Sequence, residues 1–261
     1  MQGYLKFKVM EVSTCIPQFI KLYNDMVILA GQNVITKFHA HHAIEIMISF
    51  DSSCTLRTRD ETASDRGLLL HHDILHSVHS EGFVLFIYIN PETLLGKRLA
   101  HVLGNNKVLA IDNAIVEQLK TYIGDLINQE FPETEVVKYF TSLLVENILQ
   151  TETNYTPDIR ITAVINHIKN NSHGPVNFNK LKEIACLSES RLLHLFKKEM
   201  GIPIRKYVLW CRLQQAIKIY LTGQTLTQSA QLAGFSDVAH LTRTFVSTFG
   251  MNPSQVLKRF S

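Results

Sequence analysis

Cysteine is scarce in this chain. Its 261 residues hold four, Cys15, Cys54, Cys186 and Cys211, widely separated and without a Cys-x-x-Cys pair. That argues against a disulfide framework or a zinc finger and for a reducing compartment. Long apolar runs are missing too. Nothing approaches the roughly 20 residues that a spanning helix requires, and the opening MQGYLKFKV lacks the apolar centre of a secretion signal. The expectation is a cytoplasmic protein with no membrane partner. Acidic residues are few in one part of the chain. Residues 158–261 contain 14 Lys+Arg and 5 Asp+Glu, a net charge of +9, whereas residues 1–157 contain 12 and 18, a net charge of −6. The overall +3 conceals this division. A basic region beside an acidic one points to a polyanionic partner, because Lys and Arg gain affinity by releasing counterions from phosphate. An apolar content of 46% argues against disorder.

The first ~90 residues read as strands. MVILAG, IEIMISF, CTLRTR, GLLL and FVLFIYI are short β-prone runs separated by polar or glycine-containing breaks. Many short strands without intervening helices favour a sandwich or barrel. From about residue 112 the apolar period becomes helical. Ile115, Leu119, Tyr122, Ile123, Leu126 and Ile127 form one stripe, and Val136, Val137, Phe140, Leu143, Leu144 and Ile148 form a second after Pro132. These stripes suit packing on the β unit and equally suit a homodimer through residues 112–150, and both readings stay open. The polar segment TETNYTPD, residues 151–158, is the candidate linker and coincides with the charge boundary.

Beyond it every periodic segment is helical. Ile161, Val164, Ile165 and Ile168 mark a helix that stops near Gly174-Pro175. Asn177 and Ser188 are caps for the next two helices. A long helix follows Pro203, with Tyr207, Val208, Cys211 and Ile217 inside and Arg205, Lys206, Arg212 and Lys218 outside. Thr225 opens a short helix, Asp237 caps another, and Asn252-Pro253 opens a last one. Within this region one pattern occurs twice. Leu192-x3-Phe196 followed by Gly201 is echoed by Leu241-x3-Phe245 followed by Gly250. Leu and Phe four residues apart share a helix face, and a glycine five residues on closes the helix in a left-handed cap. Paired helices of this kind in a basic segment predict two helix-turn-helix units and a double-stranded DNA partner.

The segments that carry this pattern resemble the AraC/XylS family of bacterial transcription regulators. The likeness is close over 226–257, where A-Q-L-A-G-F-S-D from Ala230 and L-T-R-T-F-x3-F-G-x-N-P from Leu241 follow the family signature. It is looser over 160–225, where LSESRLLHLFKKEMGIP matches the first unit. The resemblance implies two units joined by one long helix, with recognition helices entering successive major-groove faces of promoter DNA, and RNA polymerase as a further partner. In the second unit Phe235, Leu241, Phe245 and Phe249 are core, leaving Val238, Ala239, Thr242 and Arg243 toward the groove. Arg243 suits a bidentate contact to guanine or a phosphate contact, and Val238 or Ala239 suits a thymine methyl. In the first unit Ser190, Arg191 and His194 face the groove, with Lys197 and Lys198 placed for phosphates. His194 stands where the family has arginine, Lys182 where it has a small residue, and Cys186 where it has a turn glycine. An asymmetric reader is therefore expected, with fewer direct base contacts from the first unit.

Seven of the twelve histidines lie between residues 39 and 79. The tightest grouping, His39-x-His41-x3-Glu45 with His76 on another strand, resembles the first metal motif of cupin barrels, the fold that family sensing domains adopt. Its readings are a structural role or a polar effector pocket, a divalent metal site and a pH sensor. A structural role or an effector pocket is preferred, with no metal and no cofactor. His42, His71, His72 and His79 are read as exposed loop residues. The combined expectation is a multidomain α+β protein: a β-rich cupin-like barrel with two helices over 1–153 for sensing or dimerisation, and an all-α double helix-turn-helix domain over 154–261. No enzymatic activity is expected. The competing readings are a cupin-type metal-dependent enzyme using His39, His41, Glu45 and His76, and a non-specific nucleoid or RNA-binding protein.

Overall fold

The computed structural model describes residues 14–23, 25–128, 132–148 and 158–257. The linker segment 151–157 and the boundary placed at residues 153 and 154 lie outside the described residues, as does the Lys258-Arg259 end of the last helix.

The N-terminal region is built on one antiparallel sheet. Its strands are β1 (Thr14–Leu22), β2 (Met26–Ile35), β3 (Ile44–Ser49), β4 (Cys54–Arg57), β5 (Thr62–Asp65), β6 (Gly67–Leu70), β7 (Ser77–Ile89) and β8 (Val108–Ala110). They follow the order β1-β2-β7-β3-β6-β8, and β4 pairs with both β5 and β7. The long β7 is the organiser: one edge takes β2 along most of its length, and the other takes β4 at His79 and β3 from Val84 onward. The expected strands are present, and β1, β5 and β8 are additional. β1 carries Pro17, which a central strand excludes but an edge strand accepts; it pairs with β2 alone, with a register irregularity beside Pro17.

The central strands read as unbroken apolar runs because the sheet is buried on both faces. Alternate residues supply two cores. Val27, Leu29, Met47, Leu68, Leu70, Val84 and Phe86 face one way. Ile28, Ala30, Ile44, Ile46, Ile48, Leu85 and Ile87 face the other and meet three helices, α1 (Leu94–Leu103), α2 (Asn113–Asn128) and α3 (Glu133–Ile148). Two of these helices were anticipated and α1 was not. Its sequence, LLGKRLAHVL, is capped by Thr93, whose hydroxyl accepts from the Gly96 N–H at 3.0 Å. Ile115, Leu119 and Ile123 of α2 and Val136, Phe140 and Leu143 of α3 are all buried within this one chain. The described apolar positions of these stripes thus pack in part within the chain itself.

The C-terminal region comprises α4 (Ile159–Asn171), α5 (Phe178–Ala185), α6 (Glu189–Met200), α7 (Ile204–Leu221), α8 (Leu226–Leu232), α9 (Val238–Phe249) and α10 (Pro253–Val256). The caps are where the sequence places them. Asn177 accepts from Lys180 N at 3.1 Å, Asp237 from His240 N at 2.6 Å, and Thr225 forms a capping box with Gln228. Ser188 occupies its cap position without a side-chain bond. Arg212, expected on the outside of the long helix, instead donates to Ser172 O at 2.7 Å and Gly174 O at 2.8 Å. It ties α7 to the end of α4.

The two regions share an interface to which α4, α7, α10 and the ends of α6 and α9 contribute. Trp210, the chain's one tryptophan, donates through Nε1 to Asn90 Oδ1 at 2.9 Å. The Tyr207 hydroxyl donates to Glu92 at 2.7 Å, and Lys169 bridges Asp25 at 2.7 Å and Glu92 at 3.4 Å. The Lys169 ammonium is held above its ordinary pKa by these carboxylates against the opposing effect of burial.

Candidate nucleic-acid interface

Each helix-turn-helix unit turns on one residue in the left-handed region after its first helix. In the second unit it is Gly234, φ +87, where a Cβ would strike the His173 backbone. In the first it is Cys186, φ 51 and ψ 40, a residue with a Cβ held where glycine is favoured. Its thiol donates to Glu183 O at 3.5 Å.

On α6, Leu192, Phe196 and Met200 are buried, and Ser190, Arg191, His194, Lys197 and Lys198 are all exposed. On α9, Leu241, Phe245 and Phe249 are buried, while Ala239 and Arg243 are exposed. Thr242 is half-buried, and Val238 is half-buried against the core, so Ala239 is the better placed of the two for a methyl contact. Of the nine residues chosen for DNA contact, seven are thus exposed and Val238 and Thr242 are not. Asp237 is held below the ordinary carboxylate range, chiefly by the His240 N–H it caps and by the Ser236 hydroxyl.

The C-terminal ends of both recognition helices touch the N-terminal region, in different ways. At α6, Lys97 Nζ donates to Glu199 O at 3.1 Å, and the His72 ring lies beside Gly201. At α9 the contacts run between backbones: Lys37 N donates to Gly250 O at 3.0 Å, and Ala40 N donates to Ser247 O at 3.3 Å. Gly250 has φ +68, and a Cβ there would lie 2.5 Å from Lys37 O and 2.7 Å from His39 Nδ1. The end of the second recognition helix is thus seated on the segment that carries the histidine cluster. A cavity of about 510 Å³ lies at this junction, bordered by Phe38, His41, Trp210, Thr244 and Thr248 among others.

The cluster itself is assembled as the spacing implied. His39 and His76 face each other across an isolated β-bridge, and His39, His41, Glu45 and His76 are all buried. Glu45 Oε2 lies 3.2 Å from both His41 Nε2 and His76 Nε2. Each ring presents Nδ1 to a main-chain carbonyl: His39 to Lys37 O at 2.8 Å, His41 to Ala43 O at 3.0 Å, and His76 to Ile74 O at 2.9 Å. Burial alone would raise the Glu45 pKa; the adjacent His41 and His76 outweigh it and hold the carboxyl well below its ordinary range. Burial, then the neighbouring His76 and His41, push the His39 pKa well down. The Tyr88 ring stands edge-on to His41 at 5.0 Å and to Phe249 of α9 at 5.4 Å.

Not all the other histidines are the exposed loop residues that were expected. His42 is buried, 3.4 Å from Asp73 and edge-on to Tyr207. His71 and His72 are half-buried, and His79 is exposed but belongs to β7. Sequence reasoning also missed the interface residues Asn90, Glu92, Tyr207 and Trp210. The lone tryptophan was the available signal, because an indole N–H buried in a small domain requires an acceptor.

Residues 181–259 match a family described as a helix-turn-helix domain. The chain is similar to a protein from Photobacterium leiognathi named "Probable transcriptional regulator LumQ", with 20% identity over 224 residues, 84% of this chain and 90% of that protein. It is 27% identical over 159 residues to the transcriptional activator RhrA of Rhizobium meliloti, covering 57% of this chain and half of RhrA. It also matches uncharacterised HTH-type regulators of Staphylococcus aureus at 23% identity, of whose length it spans 28%. Among solved structures, ToxT from Vibrio cholerae superposes with a TM-score of 0.60 at 13% identity, over 92% of this chain and 99% of ToxT. A ToxT structure with an unsaturated fatty acid bound gives 0.56 at 12% identity, over 90% and 95%. The ToxT likeness extends through both regions and is a likeness of fold. Among the described residues, no helix is long and apolar enough to cross a membrane.

Proposed function

We infer, for a chain that belongs to the AraC/XylS family of transcription regulators, that promoter DNA is read by α6 and α9 as unequal partners and that the N-terminal region controls the second of them. The observation that carries this reading is the placement of Arg243 and Ala239 on the exposed side of α9 while the far end of the same helix is bonded, backbone to backbone, to residues 37 and 40. A DNA-facing helix and a sensing region are thereby parts of one mechanical unit.

Arg243 is the base-reading residue of the second unit, bidentate to a guanine, with Ala239 against a thymine methyl. Ser190, Arg191 and His194 face the groove in the first unit. His194 reads less firmly, since imidazole lacks the guanidinium's forked donors. Lys197 and Lys198 neutralise phosphates, which set position and carry no sequence information. The 510 Å³ junction cavity and the cluster of His39, His41, Glu45 and His76 form the sensing site. ToxT accepts a fatty acid by its structure's own description; here the buried cluster is imidazole-rich, which favours a different effector chemistry. RNA polymerase is the expected protein partner, and the cytoplasm the expected location.

Binding of the full chain to DNA selected from a random pool tests this reading against unrelated duplex. A preference of roughly 10³-fold or more is expected, with affinity falling steeply as salt rises. Equal affinity for selected and unrelated DNA would instead identify a non-specific binder.

A further inference from the structure

The two helix-turn-helix units meet at a second place besides the helix that joins them. α4, which packs on α5 and α6 of the first unit, ends at Asn171 and is followed by the loop Ser172-His173-Gly174. The outer residues of this loop are gripped from α7: Arg212 donates through Nε to Ser172 O at 2.7 Å and through a terminal nitrogen to Gly174 O at 2.8 Å. A planar fork on two carbonyls fixes orientation as well as distance, which a lysine ammonium cannot do. Burial lowers the Arg212 pKa from its ordinary value, a cost to the guanidinium that these two bonds offset. The middle residue faces the other unit. A Cβ on Gly234, in the turn between α8 and α9, would lie 2.3 Å from His173 O and 2.8 Å from its Cα. The turn of the second unit thus rests on the His173 backbone. The covalent link is looser. α7 ends at Leu221, and Gly223 follows at φ +90 with nothing within 4 Å of where its Cβ would stand, so the link itself supplies no stop.

We propose that Arg212 is a positioning residue for DNA reading: by holding the Ser172–Gly174 loop against the Gly234 turn, it sets the spacing and rotation at which α6 and α9 meet one duplex. The inference rests on the reading above that both helices enter the groove. DNA geometry makes the angle between the units matter. One base pair inserted between two half-sites moves the second by about 3.4 Å and turns it by about 35°. Units locked to each other cannot follow both changes, whereas loosened units follow them in part. Arg212 reads no base in this scheme. It makes the length of the spacer part of what is recognised.

The full chain and its Arg212→Lys, Arg212→Met and His173→Gly variants are titrated onto one duplex selected by the wild-type chain. Copies with one base pair inserted or removed between its half-sites are titrated alongside. Wild type should bind each altered spacer about tenfold or more weakly. Arg212→Lys keeps the charge and loses the fork, and Arg212→Met loses both; each should shrink that penalty by about threefold or more. The His173 side chain is exposed, so His173→Gly leaves the Arg212 bonds in place and only loosens the loop, and it should shrink the penalty less. Base preferences within each half-site should stay as in wild type. A merely structural loss of stability weakens binding to every duplex alike and leaves the spacer ratio unmoved. An unchanged spacer ratio in the folded variants, or one that changes only as base preference is lost, overturns the positioning role; if both Arg212 variants fail to fold, His173→Gly decides it. Wild-type base preference without a spacer penalty overturns this role alone, whereas no base preference at all overturns the DNA reading and this inference with it.

Discussion

The two helix-turn-helix units are alike in plan and opposite in how they are held. The first has a strained turn at Cys186, a cap position at Ser188 with no side-chain bond, and a histidine where the second unit has Arg243. It meets the N-terminal region through movable groups, a lysine ammonium and an imidazole. The second has Gly234 in its turn, a bonded Asp237 cap, and backbone-to-backbone seating of its far end. Lysine and histidine side chains can swing aside, whereas a pair of main-chain bonds fixes position and orientation together. On the proposed reading, the base-reading unit is the one whose far end is seated backbone to backbone on the N-terminal region.

Substitution of the two closing glycines separates these modes most strongly. Gly250→Ala meets the immovable Lys37 carbonyl as well as a left-handed φ of +68. It should cost about 2–5 kcal/mol of stability, the sum of the left-handed and overpacking penalties. Gly201→Ala has the same kind of φ, +76, but meets the end of the His72 side chain. It should cost about 1–2 kcal/mol. Denaturant unfolding of both variants checks the order, and equal losses would remove the distinction between the two seatings.

The phosphate role proposed for the first unit is probed by replacing Lys197 and Lys198 together with alanine. Affinity for selected and unrelated DNA should fall by the same factor, and the salt slope should shallow by about two. A loss confined to the selected sequence would give these lysines a reading role.

Cys186→Gly relieves the left-handed strain and should stabilise the chain by about 1 kcal/mol. The matching substitution Gly234→Ala should destabilise it, and thermal unfolding compares the two directly. A smaller effect is expected in acid. The Asp237 pKa is lowered on folding, so its contribution is complete above the ordinary carboxylate value and is lost as pH falls through the lowered one. Asp237→Asn keeps a capping oxygen and removes the titration, so its stability should fall less than wild type on acidification. Parallel acid profiles for both proteins would contradict the assignment.

How much of this was legible in the sequence follows from which interactions are local. Caps, turns and the Leu–Phe spacing are set by neighbours a few residues apart, and so the C-terminal helices lie where Asn177, Thr225, Asp237 and the repeated glycines place them. β1 was hidden by Pro17, which is acceptable only because that strand lies at an edge, a fact of topology. α1 was hidden among strands because its helical stripe is short. The histidine grouping was visible from its close spacing in sequence, although His39 and His41 lie in the connection between β2 and β3, with His39 at an isolated bridge to His76, and not on one face of a strand. The seating of α9 on that same segment was not visible. It depends on a backbone contact between residues 37 and 250, and no pattern in either segment encodes the other. Arg212 was misplaced for the same reason, since its acceptors are the carbonyls of Ser172 and Gly174 at the end of another helix.

The central claim is that the second unit reads bases and the first mainly positions. The direct measurement is selection of bound sequences from a random DNA pool by the full chain, by Arg243→Ala and by His194→Ala, at one salt concentration. The account predicts that Arg243→Ala erases the preference at one position of one half-site, a loss of about 1–3 kcal/mol of discrimination, while His194→Ala leaves the selected sequence nearly unchanged. A uniform loss of affinity in Arg243→Ala with every base preference intact, or an equal loss of preference in His194→Ala, would contradict it.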